Sequence, residues 1–397
     1  MSAARPAPSL EGTQVKQVAC GGMHTAVLAE TGTVFTTGVN DEGALGRKTG
    51  GAAWEAEEKA GRGTSGSSGD QYSWAPVQFP EEAGTIVQLS AGDSHTVALD
   101  DEGQVFAWGT FRSDTGVFGF SPTTRIAVLP TLVLEPTKTA EQVIKICSGT
   151  DHVLALRRDG TVMSWGAGFM GQLGRVGSRM TQRKAKATQL QPAPLSLGRA
   201  RTKAAHIVDL GAGNYSSFAV TAQGHVWAWG LNNYGQLGFS TEKMEPVLSP
   251  QLVSAFEGHD VVEVQGGEHH TLARTKDGKI LSCGRATYGR LGRTGEGVDP
   301  HGDAGCPEPG LVQGLDDAPV HSVSGGGAVS GCVAGEPPRA YFWGFGTTNQ
   351  LGKGADDDGD ELLPLKLRET VKLQHRSILQ VAIGGQHAAL IAGPQQH

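Results

Sequence analysis

The chain lacks the motifs that mark the common enzyme classes. Along its 397 residues no Gly-x-x-x-x-Gly-Lys-Ser/Thr phosphate loop and no Gly-x-Ser-x-Gly elbow stands out, so neither nucleotide hydrolysis nor serine-type acyl transfer has support. Its five cysteines (Cys20, Cys147, Cys283, Cys306, Cys332) form no Cys-x-x-Cys pair and leave one unpaired. Reduced, buried thiols are expected, with no metal site and no cofactor. No apolar stretch approaches the ~18 residues of a membrane span, and Met1 to Ser9 carries no apolar signal core. A soluble intracellular protein without a membrane partner is the expectation. With a net charge of −7 and pI near 6.0, contact with a polyanion requires a local basic segment.

What the chain has is glycine and repetition. Its 59 glycines are about twice the usual share, and they follow no Gly-x-y period. They belong to a unit written six or seven times: Gly-Gly-x-His-Thr, an apolar strand, a Gly turn, a second strand ending Trp-Gly, then a loop closing in Gly-Gln-Leu-Gly. Anchors fall at His24, His95, His152, Ser217, His270, Ser330 and His387, spaced roughly 53 to 71 residues apart. That exceeds the ~40–45 residues of the Trp-Asp propeller repeat, and the Trp-Asp dipeptide is absent. Strands such as Thr25-Ala26-Val27-Leu28 and turns such as Asp101-Glu102-Gly103 predict about four short strands per unit, with almost no helix. The fold expected is all-β, a seven-bladed propeller in one domain over 15–392, between a short disordered segment 1–14 and a tail 393–397. There are seven anchor halves but six Trp-Gly to Leu-Gly halves, so the closing blade is expected to lack about two strands.

Comparing the copies with one another separates scaffold from candidate function. The anchor histidines recur one per blade, too widely spaced for a single metal ion, and are expected to bond neighbouring backbone. The Trp-Gly tryptophans are expected to pack blades. One copy departs: nine residues (Thr110 to Phe118) separate its Trp-Gly from the final Gly, where five other copies have seven. The extension predicts a protruding hairpin or bulge that exposes Phe111 and Arg112 or Phe118. Residues just before each anchor also vary, and Asp93, Asp151 and His269 are the ionisable candidates among them. A flexible loop is expected over 48–72. A basic loop over 175–206 contains Arg175, Arg179, Arg183, Lys184, Lys186, Arg199, Arg201 and Lys203 and no acidic residue. Either phosphate contact or solubility accounts for it. The run Ala355 to Asp360 lacks calcium-loop spacing and is expected to be a solvated acidic loop.

The stretches Gly92-Asp93-Ser94-His95-Thr96, Asn40 to Gly46 and Arg285 to Gly292 resemble the repeat of the regulator-of-chromosome-condensation family. The likeness covers nearly everything from Val15 to Ala392, including the off-consensus Cys20 to Thr25 and Trp108 to Phe118. It implies a propeller that binds nucleosomes on one face and the small GTPase Ran on the other. The implied activity is guanine-nucleotide exchange in the nucleus, which breaks no covalent bond. The resemblance makes Phe111, Arg112, Ser113, Asp114, Thr115, Gly116, Val117 and Phe118 a wedge against the GTPase. It carries Asp93 and His269 over as the exchange residues and Asp151, Arg112, Arg175, Asn233 and His387 as GTPase contacts. His387 is thereby both an anchor and a candidate. The family's N-terminal half-repeat and basic tail do not occur in this sequence. Either its start is misplaced, or the ring is open and exchange impaired, and the alternative reading is a non-catalytic repeat scaffold or chromatin adaptor.

Overall fold

The computed structural model describes residues 10–49, 55, 69–175, 182–197, 206–242, 245–347, 349–354 and 357–395, without the side chains of 182–185. The chain divides into two compact units. The first joins Ala7–Phe169 with Arg175–Leu195. Its opening sheet runs β1 (Val15–Cys20), β2 (His24–Ala29), β3 (Val34–Gly38) and β4 (Ala75–Pro76). The next sheet has β5 (Ile86–Ala91), β6 (His95–Asp100) and β7 (Val105–Gly109); a separate hairpin, β8 (Phe111–Ser113) and β9 (Gly116–Gly119), precedes its outer strand β10 (Ala127–Leu134). The third has β11 (Val143–Ser148), β12 (His152–Arg157), β13 (Val162–Gly166) and β14 (Ala193–Pro194).

The other unit contains Met170–Gly174 and Ser196–His397. It holds β15 (Ile207–Ala212) to β18 (Val247–Leu252) through β16 (Ser216–Thr221) and β17 (Val226–Gly230). Next come β19 (Val261–Gly266), β20 (His270–Thr275), β21 (Ile280–Arg285) and β22 (Gly305–Leu311). The last full sheet is β23 (Val320–Gly326), β24 (Val329–Ala334), β25 (Arg339–Gly344) and β26 (Glu361–Lys366). The seventh copy contributes a two-stranded sheet, β27 (Arg376–Ile383) with β28 (Ala388–Pro394). The fold is an all-β propeller whose described residues form six four-stranded blades plus this pair, where seven blades were expected.

Among the strands that carry the anchors, β2, β6 and β16 are buried along their whole length. Gln17 and Gln88 act as inserted peptide groups between first strands: the Gln17 amide donates to Leu89 O and accepts from Leu89 N, both at 2.8 Å. Gln88 does the same with Ile146.

The pairing registers correct two anchors. Ser216 pairs Gly230 and Val329 pairs Gly344, as His95 pairs Gly109. Ser216 and Val329 therefore hold the histidine position, and Ser217 and Ser330 hold the threonine position. That hydroxyl and the Trp-Gly indole converge on one acceptor in the preceding copy. Thr96 Oγ1 and Trp108 Nε1 donate to Ala44 O at 2.9 and 2.7 Å. Ser217 Oγ and Trp229 Nε1 donate to Gln172 O, both at 2.8 Å. Ser330 Oγ and Trp343 Nε1 donate to Arg290 O at 2.8 and 3.0 Å. The acceptor always precedes the loop's Leu-Gly, and a Cβ on Gly46, Gly174 or Gly292 would meet the indole at 2.7–2.8 Å. The repeat's Thr, Trp and Leu-Gly letters thus describe a single joint, each bond worth about 1 kcal/mol net.

The histidine joins this relay through a side chain, where backbone was expected. His24 Nε2 lies 2.8 Å from Thr96 Oγ1, and His270 Nε2 lies 2.8 Å from Ser330 Oγ. Each hydroxyl has one proton, already given to a carbonyl, so each imidazole must donate from Nε2. Burial pushes the His95 and His152 pKa values down to about 3 and His270 well below its usual value. The glycine three residues before the histidine is needed because a Cβ on Gly21, Gly92 or Gly267 would collide with the imidazole.

One short helix was not expected: α1 spans Gln182–Gln189 within the basic segment. Its Gln, Arg, Lys and Ala are good helix formers, uninterrupted by Gly or Pro. The end of the loop expected over 48–72 is held down, since Arg47 Nη2 donates to Asp70 O and Ser73 O. Most of that loop lies outside the described residues.

Candidate functional site

The extended copy does form a hairpin. Strands β8 and β9 pair Arg112 with Val117 and Ser113 with Gly116, and a register shift falls between Phe111 and Arg112. Asp114 and Thr115 make the exposed turn. Gly116 follows at φ +106°, a conformation that favours glycine. The expected exposure of the phenylalanines is overturned: Phe111 is 0% and Phe118 8% exposed. Both join a core with Val97, Val153 and Trp165. The Phe111 ring lies 4.7 Å from that of His95, and Phe118 meets Phe169 edge-on at 5.0 Å. Apolar area drives these rings inward, leaving the polar tip, Ser113 to Thr115, outside.

Two carboxylates grip the root of this hairpin. Asp151 Oδ1 accepts the Arg112 backbone N–H at 2.6 Å, and Glu42 Oε1 accepts Arg112 Nη1 at 2.8 Å. Asp93 lies close enough to repel Asp151, and its own N–H donates to Thr150 O. Burial, opposed by the Arg112 N–H and reinforced by Asp93, pushes the Asp151 pKa up to about 7. The structure therefore gathers Asp93, Asp151 and the hairpin in one unit, and adds Glu42, which the sequence comparison had passed over.

One joint of the repeat is missing beside the hairpin. The residue opposite His95 in the next copy, at the threonine position, is Val153. Both His95 ring nitrogens are buried without a hydrogen-bond partner among the described residues.

In the other unit His269 packs against Tyr234, with ring centroids 4.9 Å apart. Arg285 stacks over Tyr234 at 4.9 Å and pairs with Asp303 at 2.6 Å. Burial, helped by Arg290 and Arg285 and opposed by Glu268, holds the His269 pKa below its usual value. Its buried Nδ1 has no hydrogen-bond partner among the described residues. Asn233 Oδ1 accepts Gln236 Nε2 at 3.0 Å. His387 is half-buried, with its pKa lowered by burial, and its carbonyl accepts the Gly384 N–H as His24 O accepts that of Gly21.

Arg175 is occupied within its own unit. Its Nε donates to Ser164 Oγ, Nη1 to Thr188 O, and Nη2 to Ser164 O and Gln191 O. Arg47 and Arg293 follow Leu-Gly in their own copies and bond the same way, to Thr36 and Ser73 and to Ser282 and Glu308. The signal was in the sequence as a recurring Leu-Gly-Arg. Of the remaining basic candidates, Lys186 lies with Nζ 5.7 Å from the Phe118 ring centroid. Arg183 and Lys184 fall in α1, and Arg179, Arg199, Arg201 and Lys203 lie outside the described residues.

Comparison with known proteins agrees with this architecture. The chain is 37% identical over 384 residues to the Regulator of chromosome condensation of Xenopus laevis, covering 95% of this chain and 81% of that protein. It is 31% identical to the Guanine nucleotide exchange factor SRM1 of Saccharomyces cerevisiae, covering 93% and 77%. The crystal structure of Prp20p from Saccharomyces cerevisiae, described with its binding to Gsp1p and histones, superposes with a TM-score of 0.82 at 30% identity, covering 100% of this chain and 86% of that one. Residues 2–390 match the RCC1-like domain, and the chain belongs to that family.

Proposed function

We propose that the protein is a guanine-nucleotide exchange factor for a Ran-type small GTPase, acting in the nucleus at chromatin. The observation that carries this reading is the single extended copy, whose hairpin has a buried apolar root, an exposed polar tip and two gripping carboxylates. A generic repeat scaffold has no use for such a device. The names of relatives support the activity, and the histone binding described for Prp20p supports a chromatin partner.

Exchange needs no bond to break. A factor that binds the nucleotide-free GTPase more tightly than the nucleotide-bound form weakens nucleotide binding by the same factor. Each ~1.4 kcal/mol of such preference is worth about tenfold. In this reading the tip Ser113 to Gly116 enters beside the GTPase phosphate loop. Asp93 and Asp151 receive basic groups of the GTPase, and His269 acts with Asp93 in the exchange step. Asn233 and His387 serve as further contacts, and the basic residues from Arg179 to Lys203 meet nucleosomal phosphate. Release of a fluorescent GDP analogue from purified Ran tests the activity: saturable acceleration is expected, reduced by Asp93→Ala in a fully folded variant. Release at the uncatalysed rate would sink the proposal.

A further inference from the structure

We propose that Glu42 is a positioning residue that fixes the extended hairpin through Arg112; this rests on the exchange reading above. Glu42 stands immediately before the loop glycine Gly43. The residues at that position in two other copies, Tyr234 and Tyr288, reach across to the following copy. Tyr234 lies under Arg285, and Tyr288 packs on Phe345 with ring centroids 4.9 Å apart. Those reaches are made by aromatic rings. The copy that precedes the extended hairpin uses a carboxylate instead, and that carboxylate takes Arg112.

Stability does not account for the choice. The Arg112 side chain is 43% and that of Glu42 20% exposed, and partly solvated pairs of this kind contribute little. Glu42 Oε2 is buried without a hydrogen-bond partner among the described residues, which is a cost. Geometry does account for it. The hairpin forms a sheet of its own after β7, and its pairing shifts register between Phe111 and Arg112. At that residue Asp151 holds the main chain, from the third copy, and Glu42 holds the side chain, from the first. Two grips from opposite neighbours fix both the tilt of the hairpin and the direction of the remaining guanidinium donors.

The test uses the full chain with Glu42→Gln, Arg112→Ala and the double variant. Amide hydrogen exchange of residues 112–117 is read in the free protein, and GDP release from Ran is read at saturation and at half-saturation. Glu42→Gln is expected to speed amide exchange in the hairpin severalfold. It should lower the saturating rate about tenfold, as misplacement of a positioned group does, with the half-saturating concentration changed less than twofold. The double variant should be no slower than Arg112→Ala alone. Unchanged hairpin amides, or losses that multiply in the double variant, would overturn the assignment. If the unmodified protein fails to release GDP, the exchange reading falls, and the amide measurement still decides whether Glu42 positions the hairpin.

Discussion

The backbone N–H of Arg112 donates to Asp151 Oδ1 at 2.6 Å, and this bond couples the hairpin to a carboxyl group whose pKa is pushed up to about 7. Because the folded-state pKa is raised, Asp151 is protonated below neutrality and ionised above it. In the exchange reading the ionised form meets the GTPase. GDP release should therefore rise between pH 6 and 8, and Asp151→Asn should flatten that rise. An identical pH profile in the variant would remove Asp151 from the mechanism.

Phe111→Ala and Thr115→Ala should separate the root of the hairpin from its tip. Removing a fully buried ring is expected to cost about 3–5 kcal/mol, visible as a lower denaturation midpoint. Thr115→Ala should leave stability within about 0.5 kcal/mol while slowing GDP release. Equal effects of the two on stability would contradict the burial pattern.

Arg175→Ala and Arg293→Ala should behave alike. Each removes hydrogen bonds to hydroxyl and carbonyl oxygens of its own unit, and each is expected to destabilise by about 2–4 kcal/mol. Any loss of exchange in Arg175→Ala should follow the loss of folded protein. A stable variant with impaired exchange would show instead that Arg175 is a GTPase contact.

Acid should weaken the fold before the carboxylates titrate. His95 and His152 have folded-state pKa values near 3 against 6.5 unfolded, so the unfolded chain binds more protons between those limits. Their contribution is complete above pH 6.5 and is lost as pH falls toward 3, by up to about 1.4 kcal/mol per pH unit for each histidine. Urea midpoints at pH 7 and pH 5 check this, and no decrease would mean that the imidazoles are not held neutral.

Much of the fold was legible because a blade is a local object. Gly-Gly-x-His, Trp-Gly and Leu-Gly each report one steric or hydrogen-bonding requirement, repeated often enough to be read without coordinates. The pairwise partners were not legible. That Thr96 and Trp108 share the Ala44 carbonyl depends on two copies meeting, as does the reach of Glu42 to Arg112. The inward turn of Phe111 and Phe118 was missed for a related reason: an insertion is read as exposed until the room beneath it is known. Arg175 recurs after Leu-Gly as Arg47 and Arg293 do, but the oxygens that each one meets could not be read from that recurrence.

Val153 has a further consequence. Where other joints are closed by a hydroxyl, this one is closed by a methyl, and His95 is left with nothing to bond. Val153→Thr should give His95 a partner and raise the melting temperature, a gain of about 0.5–1.5 kcal/mol, while Thr96→Val should lower it. The missing hydroxyl also works as a licence. The Phe111 ring at the root of the hairpin lies 4.7 Å from that of His95, at the seam where this fastening is absent. At this seam the protein has given up a fastening, and there an ordinary loop could grow into a tool.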